Sequence, residues 1–324
     1  MNSDLILGVD IGGTKVAVVV AHPSGTILAD LRVPTDLSGD SATLNCILEA
    51  MQAVMNMAKV APHNIASIGI GAPGSVDRET GEWFGSTNVV LNDPPAPLVD
   101  LVKSRFGRPT FLENDVKAGT LGEQRYGAGE GLQHMVYLSL GTGIAAGIIV
   151  DGQLYRGLGE AGEIGHAPVM RNGPLCNCGT RGCLEMMASG GSIARRGRAA
   201  LHAGRDTLIA RLANGDPEAI TGGLVIRAAA QEDPVALSIV QETTSYLAMG
   251  VLLAFRAYDP ELLVIAGGLS KAGDILLRPL RRALLEQTTG RSATYLDRLT
   301  LTVLGEKAGV LGAVALALQS LAPS

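Results

Sequence analysis

The sequence predicts an α/β chain of two lobes, on three observations. Short apolar, β-branched runs alternate with stretches whose apolar residues recur at helical spacing, the pattern of sheets covered by helices. Glycine-threonine hairpins of one kind occur twice, at Gly13-Thr14 and Gly141-Thr142, in separate α/β units. The length, 324 residues, suffices for two domains of ordinary size.

Composition narrows the class. The chain is 47% hydrophobic and 18% charged, enough to bury large cores and unlike a disordered segment. A net charge of −5 and a pI near 5.6 argue against a primary nucleic-acid or membrane-surface role. The opening MNSDLILGVDIGG has no basic start and no long apolar stretch, so no signal peptide is expected. The longest apolar run, Met135 to Val150, is broken by Gly141, Thr142, Gly143 and Gly147 and reads as two strands around a turn, too short and glycine-rich for a membrane span. A soluble, cytoplasmic protein is expected.

In chain order, 5–10 and 15–21 are strands of a hairpin and 26–33 a third strand after the Ser24-Gly25 turn. Asp10 sits at the first turn, with Gly12, Gly13, Thr14 and Lys15 behind it. A glycine turn with outward amides can cradle phosphate, and a hydroxyl and an ammonium add donors. It is not a Walker loop, because a strand and not a helix follows the lysine. Taken alone the pair of glycines also reads as a plain hairpin turn. Asp10 further reads as a carboxylate near Mg²⁺, through water. Residues 41–59 are a helix whose methionines and Cys46 fill core. A buried strand, 65–72, ends in the turn Pro73-Gly74. In the polar loop 80–94, Trp83 reads as a packing residue and Asn88 as an amide for a hydroxyl-rich ligand. Helix 97–106 and strand 109–113 lead to Glu113-Asn114-Asp115 and a helix over 116–126. Asp115 lies where a strand gives way to a helix, the edge at which α/β proteins place ligands, and equally where a helix takes an aspartate N-cap.

Residues 134–150 form strand, Gly-Thr-Gly turn and strand. Gly141, Gly143 and Ala146 nearly match a dinucleotide fingerprint, but that fingerprint requires a helix after the glycines and IIVDGQLY is strand-like. The segment reads as a second phosphate-cradling hairpin, and two such hairpins can clamp one polyphosphate. Between Glu160 and Glu185 lie Cys176, Cys178 and Cys183, the first of them ten residues after His166. Three thiols and an imidazole can close a tetrahedral Zn²⁺ site, with Gly179 and Gly182 letting the chain turn; three reduced buried thiols, or a disulfide with one thiol over, is the alternative. Helices follow over 187–203, 205–213, 217–230 and 234–257, with Arg195, Arg196, Arg198 and Arg205 read as solvated. Strand 261–266 leads to Gly267-Gly268, where a base could lie against backbone or the chain simply turns. A helix over 274–287, a strand over 299–304 and a last helix over 307–318 complete the chain.

Asp10-Ile-Gly-Gly-Thr-Lys15, Gly71-Ala-Pro-Gly74, Glu113-Asn-Asp115, Leu140-Gly-Thr-Gly143, Glu163-Ile-Gly-His166 and Cys176-x-Cys-Gly-x₃-Cys183-Leu-Glu185 occur in the order found in the ROK family, which the chain resembles from residue 5 to about 318. That family comprises bacterial sugar kinases and related repressors on the actin/hexokinase-like (ribonuclease H-like) fold, and the motifs are most similar to those of its glucokinases. The resemblance implies two α/β lobes, 1–117 joined by the C-terminal helix 307–324 and 118–306 with the zinc loop, with the active site in the cleft between them. It implies Asp115 as the base that takes a proton from the 6-hydroxyl of glucose, and Asn88, Asn114, Glu163, His166 and Glu185 as sugar contacts. Gly12, Thr14, Lys15, Gly141, Thr142, Gly267 and Gly268, with Asp10, Gly13 and Gly143 of the same loops, would line the site for ATP and Mg²⁺. His166, Cys176, Cys178 and Cys183 would hold a structural Zn²⁺. Ala145-Ala146 departs from the Gly-Gly of many relatives. A homodimer or homotetramer is implied. A repressor of the family would carry a helix-turn-helix ahead of the first hairpin, which here begins at residue 5; kinases for N-acetylmannosamine, N-acetylglucosamine, fructose or allose are the nearer alternatives, and polyphosphate or ADP could replace ATP.

Overall fold

The structure is a computed structural model that describes residues 5–288 and 292–319. Residues 1–4 and 320–324 of the expected first lobe lie outside the described residues. The chain divides into two compact units, 1–131 with 306–324, and 132–305. The first therefore runs on past the expected boundary at 117.

In the first unit β1 (Leu5–Ile11), β2 (Lys15–Ala21), β3 (Ile27–Pro34), β4 (Ile65–Ala72) and, after α1 (Asp40–Ala58), the short hairpin β5 (Val76–Asp77)/β6 (Glu82–Trp83) and α2 (Leu98–Phe106), β7 (Thr110–Asn114) follow one another, and α3 (Asp115–Tyr126) closes the segment. The sheet order is β3-β2-β1-β4-β7. The first three strands form an antiparallel meander and β1, β4 and β7 are parallel. β1, β2 and β4 read as near-continuous apolar runs because helices cover both faces. β3, at the edge, alternates half-buried and exposed positions, the signature of a strand with one wet face. Trp83 is fully buried in the core against α1 and α2, its Nε1–H donating to the Pro73 carbonyl at 2.9 Å, so it packs as expected.

The second unit repeats the plan. After β8 (Met135–Leu140), β9 (Ile144–Val150) and β10 (Gln153–Tyr155) come α4 (Leu184–Ala188), α5 (Gly190–His202), α6 (Leu208–Leu212), α7 (Gly222–Ala229), α8 (Pro234–Tyr258), β11 (Leu262–Ala266), α9 (Asp274–Gln287), α10 (Ser292–Asp297) and β12 (Leu299–Leu301). The sheet order is β10-β9-β8-β11-β12, again a meander of three strands joined to two parallel ones. The two Gly-Thr hairpins, β1–β2 and β8–β9, thus occupy equivalent places in two sheets of the same topology. α8 is the one helix among the described residues long and apolar enough to cross a membrane, but 61% of that stretch is buried inside the unit, as befits a core helix. Its start is fixed by Asp233, whose carboxylate accepts from the Ala236 amide, the Leu208 amide and the Thr207 hydroxyl at 2.7–2.9 Å.

The last helix, α11 (Ala308–Gln319), belongs to the first unit and lies across β1 and β4. Glycines permit the approach: a Cβ on Gly69 would stand 1.9 Å from the Ala313 carbonyl oxygen, and one on Gly8 2.6 Å from that of Val310. On its other side α11 meets α3, backbone to backbone, at Gly122 and Gly312.

The arginines of α5 correct the sequence reading. Arg195, Arg196 and Arg198 are half-buried and donate to the carbonyls of Met186, Met187 and Ile220, closing the end of α4 and the approach to α7; Arg205 alone of the four is exposed.

Candidate active site

Each unit carries its own share of the candidate residues at the C-terminal ends of its parallel strands. In the first, Asp10 is the next-to-last residue of β1 and Asp115 opens α3 straight after β7. The N-cap of α3 is Asn114, not Asp115: its Oδ1 accepts from the Val116 and Lys117 amides at 3.0 and 3.2 Å, and its Nδ2 donates to the Gly74 carbonyl at 3.2 Å. The capping reading of Asp115 is therefore wrong by one residue. Asp115 stands at the first helical position, its Oδ1 accepting from the Val116 amide at 2.9 Å. Behind it Glu113, with a side chain 2% exposed, ion-pairs with Arg78 at 3.3 Å and accepts from the Asn114 amide at 3.0 Å. The sequence offered no sign of that support beyond an acid beside Asn-Asp.

The first hairpin closes on itself, the Gly12 amide donating to the Lys15 carbonyl at 2.9 Å, and Thr35 braces it by donating its hydroxyl to the Gly12 carbonyl at 2.6 Å. Gly13 lies against Asn88, where a Cβ would come within 2.8 Å of the Asn88 Cβ. Asn88 and the first hairpin are thus brought together. Thr14 is exposed, and Lys15 Nζ meets Glu306 at 3.1 Å, a carboxylate it shares with Arg32. Sequence reasoning missed both partners, because 291 residues separate Lys15 from Glu306.

Asp10 is pressed against the first turn of α11, where a Cβ on Gly309 would lie 2.3 Å from its Oδ2. Burial pushes its carboxyl up to about 6, against the opposing pull of Lys15 and Arg32. The folded state then holds a proton that the unfolded state has already released between about pH 4 and 6. This group's contribution to stability is complete below its unfolded value and is lost as pH rises through its folded one, by about 3 kcal/mol in all. Asp10→Asn should therefore shift the stability difference between variant and wild type in the variant's favour from pH 4.5 to 7.5. Urea midpoints of both proteins at the two pH values measure it, and a difference that does not move with pH refutes the assignment.

In the second unit the Gly141–Gly143 turn is held by the Gly190 amide, which donates to the Gly141 carbonyl at 2.9 Å, and by that of Gly191, which donates to Thr142 at 3.4 Å. Gly267 has φ +78° and backs onto β8, where a Cβ would meet the Leu140 carbonyl at 2.5 Å; only glycine fits. Gly268 faces open space. The structure thereby brings Gly141–Gly143 and Gly267-Gly268 together at the ends of neighbouring strands. Ala146 points its methyl into the core and Ala145 is half-buried on the opposite face.

His166, Cys176, Cys178 and Cys183 converge, their ligand atoms all within 4.8 Å of one another. Cys176 Sγ lies 3.6 Å from His166 Nδ1 and Cys178 Sγ lies 3.6 Å from Cys183 Sγ. Four ligands at about 2.0–2.3 Å from one Zn²⁺ stand roughly 3.3–3.8 Å apart, a separation both 3.6 Å pairs match, so the four residues could hold that ion. The Thr180 backbone amide holds the exposed Cys178 thiol down to about 7, toward the thiolate a metal needs, while burial pushes Cys183 up to about 12. With Nδ1 turned to the sulfurs, His166 Nε2 faces Glu163, 3.9 Å from its carboxylate. Glu185, on α4 two residues after Cys183, accepts from the Ile144 amide at 3.0 Å.

The chain is similar to known proteins over nearly its whole length. The ROK family model matches residues 6–320. The glucokinase of Thermotoga maritima is 38% identical over 315 residues, 96% of each chain, and that of Streptomyces coelicolor 35% identical over 316 residues, 97% of each. Among solved structures, a ROK family glucokinase from Streptomyces griseus in complex with glucose and AMPPNP superimposes with a TM-score of 0.81 at 34% identity, covering 97% of this chain and 99% of that one. With two hairpins in equivalent sheets, a Cys₃His cluster and full-length similarity, the chain belongs to the ROK family.

Proposed function

We propose that the chain is an ATP-dependent glucokinase that transfers the γ-phosphate to the 6-hydroxyl of glucose. The observation that carries this reading is similarity to glucokinases at 35–38% identity over 96–97% of the chain. Phosphoryl transfer asks a protein chiefly to position the reactants and neutralise phosphate charge. The hairpins Gly12–Lys15 and Gly141–Gly143 offer amides, hydroxyls and one ammonium to the phosphates, and Gly267-Gly268 leaves room for the base. Asp10 suits water-mediated contact with Mg²⁺. Asp115 accepts the hydroxyl proton.

A sugar has no charge, so selectivity rests on polar groups matched to its hydroxyls. Asn88, Asn114, Glu163, His166 and Glu185 are of that kind; Asn114 caps α3 through Oδ1, and its amide nitrogen, which donates one hydrogen to Gly74, keeps a second for a sugar hydroxyl. His166, Cys176, Cys178 and Cys183 would hold zinc, which would supply rigidity; His166, with Nδ1 beside the Cys176 sulfur, would then offer Nε2 to the substrate. One zinc per chain is expected in the purified protein. Cys178→Ser should lose it and weaken glucose binding by about 10–100-fold; metal analysis that finds no zinc in active wild type rejects this.

The deciding experiment is a coupled ADP-release assay over hexoses and acetylated hexosamines, with ATP and polyphosphate as donors. Glucose with ATP should give the highest kcat/KM. A higher value for another sugar reassigns the substrate, and no turnover with any pair overturns the kinase reading.

A further inference from the structure

Ile144, the first residue after the second glycine hairpin, is gripped from two sides. Its amide donates to Glu185 Oε2 at 3.0 Å, and that carboxylate crowds Gly143 so closely that a Cβ there would lie 2.4 Å from the same oxygen. On the other side its carbonyl backs onto Gly165, where a Cβ would stand 1.9 Å from the oxygen. Both grips adjoin the Cys/His cluster: Gly165 precedes His166, and Cys183 lies two residues before Glu185. The two arms are also tied to each other, the Leu184 amide donating to the Ala167 carbonyl at 2.9 Å. A second path runs through α4. Ser189 at its end caps α5, and the Gly190 and Gly191 amides at the start of α5 hold the carbonyls of Gly141 and Thr142.

A carboxylate whose sole duty is to a sugar hydroxyl has no reason to be seated on the phosphate hairpin. A loop with glycine at two of three positions has much conformational freedom to lose, and its amides bind phosphate well only if that freedom is removed beforehand. We propose that Glu185 is a positioning residue for the nucleotide: it fixes the Gly141–Gly143 hairpin through Ile144, and the Cys/His cluster sets nucleotide affinity through it. This rests on the kinase reading and extends it, since the cluster then serves both substrates and not the sugar alone. Every contact invoked lies within the second unit.

The test is calorimetric titration of the full chain with AMPPNP and Mg²⁺, without sugar, so that turnover plays no part. Glu185→Ala should weaken binding about tenfold, and Cys178→Ser, which removes the metal, by a similar factor. Glu185→Gln should stay within about threefold of wild type, because its amide oxygen still accepts from Ile144. If one path carries both effects, the double variant Cys178→Ser/Glu185→Ala binds no worse than the weaker single. Wild-type affinity in Glu185→Ala, equal loss in Glu185→Gln and Glu185→Ala, or losses that multiply in the double variant would overturn the proposal. Should Cys178→Ser fail to fold, the two Glu185 variants still decide it. A wild type that does not bind AMPPNP fails differently, and takes the kinase reading with it.

Discussion

Asp115→Asn should lower kcat by about 10²–10⁴-fold and leave the KM for sugar nearly unchanged. The substitution keeps the shape of the side chain, and its amide oxygen can still accept from the Val116 amide as Asp115 Oδ1 does at 2.9 Å. It leaves the helix cap alone, because that duty falls on Asn114. What disappears is the capacity to take a proton. A base acts as the bond to phosphorus forms, so its removal is felt in the transition state and hardly in the ground state. Asn114→Ala makes the contrast. It strips α3 of its cap, which costs about 1 kcal/mol of stability, and frees Asp115 to wander. Steady-state kinetics with glucose, alongside thermal denaturation, separate the two. An Asp115→Asn enzyme with near wild-type kcat removes Asp115 from the role of base.

How much of this was legible in the sequence depended on the range of the interaction. Strands and most helices were readable because hydrophobic period and glycine punctuation are local, and the hairpins at Gly13 and Gly141 declared their similarity before either sheet was seen. The Cys/His cluster was equally local, its four members falling within eighteen residues of one another. The cap of α3 was misplaced by one because Asn114 and Asp115 are both good capping residues, and only the extended backbone of Asn114 decides between them. Arg195, Arg196 and Arg198 resembled a solvated face because their carbonyl partners sit on other elements. The Lys15–Glu306 pair joins the two ends of the chain, which no window of sequence can show.

Glycines inside regular elements were the other silent signal. Gly312 and Gly122 lie inside helices, where glycine costs propensity, and the structure makes them the contact between α11 and α3. Gly165, in the turn before His166, looked like part of a motif and proves to be a place where two backbones touch.

Gly312→Ala puts that contact to the test, and two opposing effects set the outcome. Alanine is the better helix former by about 1 kcal/mol, so helix propensity alone would stabilise the variant. Against this, a Cβ at 312 would lie 1.9 Å from the Ala118 carbonyl oxygen and would need a shift of roughly 1.5 Å to reach ordinary contact. α11 cannot yield freely, since its Val310 and Ala313 carbonyls are set against Gly8 and Gly69 of the sheet. Overpacking of this kind costs about 3 kcal/mol or more and outweighs the propensity gain, so the melting temperature should fall by roughly 5–10 °C. The helix displaced is the one whose first residue is Asp115, so kcat should fall with it. Gly223→Ala is the control: it also places alanine in a helix, but its Cβ would meet only the Thr221 hydroxyl at 3.9 Å, and it should hold or raise stability by up to about 1 kcal/mol. If Gly312→Ala melts at or above the wild-type temperature, α11 is not seated on α3 as described, and the account of how Asp115 is positioned goes with it.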